Sequence, residues 1–302
     1  MNLVTLLSTF VVSSSACEAV QGPLQAAQDA LQAGHAEEAL EIADDLVERA
    51  PNCIESQLAL AAALELRLQD LGGVRALGVS RRMRRAIAAA LELDGENVEA
   101  LRAEIGYLIH APSVAGGDRS RAAQRIEILG ARDRRAAAEL ALELARAEGE
   151  AEQILAALAE YVEFESTNID LRSEFARRLI IAGEYSRADA ELESWAEIGT
   201  ELLPHQVAER AYLKGGLRVI GGFELEDAET LLLASLVEHS SRTPNSSWPD
   251  RANAWAFIGA AREARSDTQG AVEAYRQALA HDPESARARA GLARLDSNSS
   301  TR

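Results

Sequence analysis

Aromatic residues make up only 4% of the 302-residue chain, Lys214 is the one lysine among 31 basic residues, and prolines number seven. The first scarcity argues against a surface that stacks on bases or sugars, and against a sheet rich in β-branched and aromatic side chains. The second reads as the codon composition of a GC-rich genome and carries no functional information. Few prolines leave helices free to run. Positive charge is in deficit as well: 48 Asp and Glu outweigh 31 Lys and Arg, for a net charge of −17. Such a surface repels phosphate backbones and anionic headgroups, so no nucleic-acid partner is expected. Catalytic signatures are missing. HExxH, GxSxG, GxxxxGKS/T and GxGxxG do not occur, and His35, His110, His205, His239 and His281 are scattered. The expectation is a non-enzymatic protein with no metal and no cofactor.

Long apolar runs are absent too; none approaches the roughly 18 residues a membrane helix needs, so no transmembrane span is expected. The start of the chain, "MNLVTLLSTFVVSSSACEA", has a short apolar core from Leu3 to Val12 followed by small residues. That pattern fits a secretory signal peptide over residues 1–19, cleaved after Ala16 or after Ala19, although its first region offers only the α-amino group. Acylation of Cys17 as a lipoprotein is the weaker reading, because Ser14 stands where such signals carry leucine. The mature chain is expected in an oxidising compartment such as a bacterial periplasm.

What the sequence has in abundance is alanine and leucine, within 47% apolar residues, which points to an all-α fold. An internal repeat supports this. "ANAWAFIGAAREARSDTQGAVEAYRQALAHDPES", Ala252 to Ser285, is 34 residues long and places Trp255, Ile258, Gly259, Ala271, Tyr275, Ala278 and Pro283 at positions 4, 7, 8, 20, 24, 27 and 32. Small residues at 8, 20 and 27 let two antiparallel helices approach, large ones at 4, 7 and 24 fill the gaps, and the proline closes the second helix. This segment resembles the tetratricopeptide repeat. Residues 20–53 and 169–202 fit the same frame, the latter with Trp195 where a small residue is usual; 54–95, 98–132, 134–166 and 204–246 fit it loosely. The resemblance implies an α-solenoid over residues 20–295, of about seven helix pairs plus a capping helix, with 296–302 as a disordered tail.

In tetratricopeptide proteins the first helix of each pair lines a concave face where peptides or partner helices lie. Carried onto this chain, the groove positions are Leu58, Ala62, Arg102, Ile109, His110, Ser173, Arg177, Ile180 and Ile181. The function so implied is a protein–protein interaction scaffold in the bacterial cell envelope, binding a protein or peptide partner through that face.

One stretch interrupts the helical pattern: "HAPSVAGGDRSRA", His110 to Ala122. Pro112 ends the preceding helix, Gly116 and Gly117 permit unusual backbone angles, and Asp118 is a good N-cap for the next helix. A carboxylate at that helix start repels phosphate, so the stretch reads as a joint between helices and not as an anion loop. It is echoed by "YLKGGLRVIGGFELEDA" from Tyr212 and by "LQDLGGV". Paired-glycine turns of this kind are similar to those of periplasmic tetratricopeptide proteins, including T-components of TRAP transporters, which implies an alternative: a transport accessory or small-ligand binder.

Charge is unevenly spread. From Arg75 to Arg135 twelve arginines face eight acids, a net +4, which leaves −21 for the rest. Arg81, Arg84 and Arg85 share one helical face, fit for docking an acidic partner or for self-association with the chain's own acidic ends. Cys17 and Cys53 are the only cysteines. The lead-in to the first helix of a hairpin and the exit of the second lie at the same end, so a disulfide between them is within reach, provided that cleavage spares Cys17. No histidine stands at metal-ligand spacing with either.

Overall fold

The computed structural model describes residues 15–198, 202–239 and 251–299, and within them the chain forms fifteen α-helices and no strand. The helices are α1 (Gln21–Gln32), α2 (Ala36–Arg49), α3 (Ile54–Leu68), α4 (Gly73–Leu93), α5 (Val98–His110), α6 (Arg119–Gly130), α7 (Arg134–Glu148) and α8 (Ala151–Phe164). They continue as α9 (Ile169–Ile181), α10 (Tyr185–Ser194), α11 (Pro204–Gly221), α12 (Leu225–His239), α13 (Arg251–Ala264), α14 (Thr268–His281) and α15 (Ala286–Ser299). The all-α reading holds, as does the count of helix pairs with a last helix beyond them. No helix among the described residues is long and apolar enough to cross a membrane.

The chain divides between Tyr161 and Val162, inside α8, into two compact units. In the first, each helix packs on the next through the first three hairpins, while α1 also touches α3, α3 touches α5 and α5 touches α7. The second repeats the scheme, with α9 on α11, α11 on α13 and α13 on α15. Each unit is therefore a stack of hairpins whose first helices form one continuous side.

Local chemistry sets the helix boundaries. Asn97, Asp118, Asp133, Asn168 and Asp267 each stand just before a helix and accept a hydrogen bond from the backbone N–H three residues on, satisfying a donor the helix leaves open. Gly34 and Gly183, at equivalent hairpin turns, take φ of +75° and +78°, which side-chain-bearing residues rarely adopt.

Tyr275 shows why the repeat signature has its spacing. Its ring is fully buried, and a Cβ on Gly259 of α13 would lie 2.6 Å from Cδ1. Gly291 of α15 faces the ring as closely from the other side. Two glycines thus admit one large side chain at the junction of three helices. The Tyr275 hydroxyl donates to Glu263 at 2.6 Å, and Arg294 reaches the same carboxylate at 2.9 Å. Arg294 holds the Glu263 carboxyl below the ordinary carboxylate range, while burial and Glu263 push the phenol well above its own.

Two boundaries differ from expectation. α15 runs on through Ser299, so 296–299 belongs to a helix and not to a tail; residues 300–302 lie outside the described residues. At the other end, residues 1–14 of the expected leader 1–19 also lie outside them, whereas Ser15–Val20 forms a short 3₁₀ turn that buries Cys17 and Val20.

Candidate functional site

The stretch from His110 to Ala122 is a shaped joint. α5 ends at His110, Pro112 starts a single 3₁₀ turn over Ser113–Ala115, and Gly116 turns the chain with φ of +103°. The amides of its glycine turn are used within the protein. Gly116 N–H donates to Ser113, Gly117 N–H to Pro112 at 3.1 Å and Asp118 N–H to Leu108 at 2.9 Å. Asp118 then caps α6 by accepting from Arg121 N–H at 3.0 Å. Tyr107 braces the turn, its hydroxyl donating to the Ala115 carbonyl at 2.6 Å while lying 3.0 Å from Ser80 Oγ. The echo from Tyr212 shares only the closing glycines: α11 runs unbroken to Gly221, and Gly222 caps it in the left-handed conformation. "LQDLGGV" supplies Gly73, the first residue of α4, at φ of +61°.

The predicted groove residues fall into two groups. Leu58, Ala62 and Ile109 are buried in the core of the first unit. Arg102 is nearly buried and bound to Glu139 at 3.1 Å, and Ser173 is buried against Glu209. These five are packing or ion-pair residues, because neighbouring helices cover the positions that the repeat frame assigns to a ligand. His110 stays exposed, 2.5 Å from Glu143. Arg177, Ile180 and Ile181 come together with residues that sequence reasoning did not single out.

Those partners are Tyr212, Gly216 and Ile220 of α11 and Phe257 of α13, which with α9 line a groove of about 210 Å³ in the second unit. Ile181 is 85% exposed and Ile220 43% exposed. Apolar side chains left to water at a concavity mark a binding surface better than scattered ones do. The two glycines of "YLKGG" divide the labour. A Cβ on Gly215 would lie 2.6 Å from Leu232 Cγ, so that glycine brings α11 close to α12; Gly216 faces the Phe257 ring, and its missing side chain deepens the groove. Tyr212 meets Phe257 edge to face at 6.1 Å, and Arg287 lies 3.9 Å over the Phe257 ring, where burial lowers its pKa from the usual arginine value. Arg177 bounds the groove, 3.4 Å from Glu209. The signal for this site was present in the sequence as two glycines inside an apolar helical pattern, which a turn reading hides.

The first unit holds a larger cavity of about 570 Å³. Leu68, Leu77, Met83 and Pro112 supply its apolar wall, and Glu65, Ser80, Tyr107 and His110 its polar atoms. Both irregular joints, Gly72–Gly73 and Pro112–Ala115, border it. Arg81, Arg84 and Arg85 lie exposed on α4. Cys17 and Cys53 are joined in a disulfide with Cα atoms 5.3 Å apart, and no other group of metal-ligating side chains converges among the described residues except these two sulfurs with Glu55.

No family model matches the chain, and no curated protein does. Solved structures match in fold. The C-terminal part of a TPR repeat-containing protein from Cytophaga hutchinsonii aligns with 89% of this chain and 99% of its own at 14% identity, with a TM-score of 0.62. PilF of Pseudomonas aeruginosa aligns over 77% and 96% at 17% identity, with a TM-score of 0.51. Naa15/Naa10 bound to HypK aligns over 91% of this chain and 39% of its own at 14% identity, with a TM-score of 0.54. The fold is the one expected from the Ala252–Ser285 signature.

Proposed function

We propose that this chain, whose fold is the tetratricopeptide-repeat helical solenoid, is a non-catalytic scaffold that binds a protein partner through the apolar groove of α9, α11 and α13. The observation that carries the reading is Ile181 and Ile220 standing exposed around a concavity floored by Tyr212 and Phe257. An amphipathic helix or extended segment with apolar side chains at its centre fits such a groove, and truncating central anchors of this kind costs most of an interface's affinity. The structure of Naa15/Naa10 bound to HypK is a case of this fold in a protein assembly, which supports the reading. We place the protein in the bacterial cell envelope; the apolar segment Leu3–Val12 and the Cys17–Cys53 disulfide both favour an exported chain. A sulfur held in a disulfide is not free to form the thioether of a lipoprotein, which favours cleavage after Ala16 without acylation.

An Ile181→Asp, Ile220→Asp variant is expected to keep its helical circular dichroism and lose partner capture, with affinity down roughly thirtyfold or more. The measurement is a crosslinked pull-down from the native envelope read by mass spectrometry, followed by titration of the captured protein. Equal capture by the variant sinks the groove assignment.

The cavity of the first unit favours a second reading, a small-ligand accessory. Its volume lies in the range of small-molecule sites, and no arginine or lysine lines it, so the ligand is apolar and not an acidic metabolite. N-phenyl-1-naphthylamine, a neutral apolar fluorophore, is expected to brighten on binding there. Ala76→Trp, which fills the cavity from α4, abolishes the signal; brightening that survives this substitution places the dye elsewhere.

A further inference from the structure

A second concavity of the first unit, about 280 Å³, lies between α4, α5 and α6 and is lined by Arg84, Arg85, Glu104, Tyr107, Gly116 and Arg121 among others. Its charge is unusual for a chain of net −17. Arginines around it are neutralised by acids: Arg82 by Asp44, Arg102 by Glu139 and Arg132 by Glu96. Among the described residues neither Arg84 nor Arg85 is in an ion pair; Arg85 Nε donates to the Arg81 carbonyl at 3.4 Å. The single carboxylate in the lining, Glu104, is already committed. Arg121 holds one oxygen at 2.6 Å and Arg125 the other at 2.7 Å. Three arginine side chains therefore line this space, with their one acid shared with a fourth.

Two of the three are positioned by the fold. Glu104 is buried and fixes Arg121. Arg84 is seated on the joint: a Cβ at Gly116 would lie 2.5 Å from its Nη1 and 3.4 Å from its Cδ, so the guanidinium rests where a side chain at 116 would stand. Gly116 thus serves the backbone turn and the placement of a cation at once. We propose that this pocket binds a phosphoryl group, held by the side chains of Arg84, Arg85 and Arg121. A phosphomonoester presents three terminal oxygens to three guanidinium forks, whereas a carboxylate presents two. The Gly116, Gly117 and Asp118 amides are bonded to Ser113, Pro112 and Leu108, so recognition falls to the side chains and differs from a glycine-amide phosphate cradle. The volume holds the phosphoryl group and a small substituent. A free phosphoester and a phospholipid headgroup share this chemistry.

The test is isothermal titration calorimetry of the full mature chain, at low ionic strength, with inorganic phosphate and with glycerol 3-phosphate, beside flotation with vesicles of phosphatidic acid in phosphatidylcholine. Saturable binding of either soluble phosphate supports a free ligand, and flotation without soluble binding supports a headgroup. In both cases Arg84→Ala weakens binding roughly tenfold or more, and Arg84→Lys, which keeps the charge and loses the fork, restores it only in part. Thermal unfolding of both variants within a few degrees of the parent, as expected for an exposed side chain, separates lost binding from lost fold. Binding that is equal in the parent and in Arg84→Ala overturns the proposal, as does the absence of binding in all three assays.

Discussion

Alanine in place of Gly117 is expected to destabilise the first unit by roughly 3 kcal/mol or more, close to the limit of what a marginally stable unit tolerates. The cause is steric. A Cβ there falls well inside contact distance of the Ala111 carbonyl oxygen and 2.7 Å from its carbon, and that carbonyl belongs to backbone with little freedom to retreat. Ala111 N–H is bonded to Tyr107 and the following residue is Pro112, whose ring fixes φ, while Asp118 N–H is tied back to Leu108. Gly149 is the control. It caps α7 at φ of +85°, and a Cβ there meets nothing within 4 Å, so Gly149→Ala pays only the left-handed backbone term of about 1 kcal/mol. Far-UV circular dichroism follows both units, whereas Trp195, Trp248 and Trp255 all lie beyond Val162. Gly117→Ala is expected to advance the dichroism transition on heating, while tryptophan fluorescence keeps its midpoint. Equal, small shifts in Gly117→Ala and Gly149→Ala would mean that the joint relaxes and its tight geometry is not required.

Gly117 also marks how far sequence reasoning reached. Proline, paired glycines and a capping aspartate are local signals, and their chemistry acts within a few residues, so the joint could be read directly. The same holds for Gly259, Ala271 and Tyr275, whose packing repeats with the helical period. The groove could not be read in this way. Leu58 and Ile109 occupy the right repeat positions, yet helices from adjacent hairpins bury them. Arg102 and Ser173 are taken up by Glu139 and Glu209, acids supplied by the next hairpin along. Whether a frame position stays open depends on what the following repeat places over it, and irregular repeats break the frame that would tell. Residues 204–246 are the clearest case. There the two glycines at 215 and 216 sit inside α11, and Phe257, which closes the groove, belongs to the next hairpin. Arg84 and Gly116 are similarly remote in sequence, and only the stacking of α4 against the joint makes one the seat of the other.

Removal of the Cys17–Cys53 disulfide is expected to lower the stability of the first unit by roughly 3 to 4 kcal/mol in the chain-entropy model. The bridge spans a sequence separation of 36 and joins the turn that leads into α1 to the residue that precedes α3. It therefore closes the first hairpin at its base. Without it α1, a helix of twelve residues, would rest on its packing against α2 and α3. Both sulfurs are fully buried, and the Glu55 carboxylate lies 3.3 Å from Cys53 Sγ; shielding and negative charge together oppose attack by an anionic thiolate. The bond is expected to survive mild reductant in the native state and to break only in denaturant. Urea titrations of the parent with and without dithiothreitol, beside a Cys17→Ala, Cys53→Ala variant, measure the effect. The reduced parent and the variant share one lowered midpoint, and the variant ignores dithiothreitol. Coincident midpoints for the oxidised and reduced parent would show that α1 docks without its crosslink. The same experiment bears on processing, because a mature chain that begins after Ala16 retains the bridge, and one that begins after Ala19 loses Cys17 and starts from the weaker state.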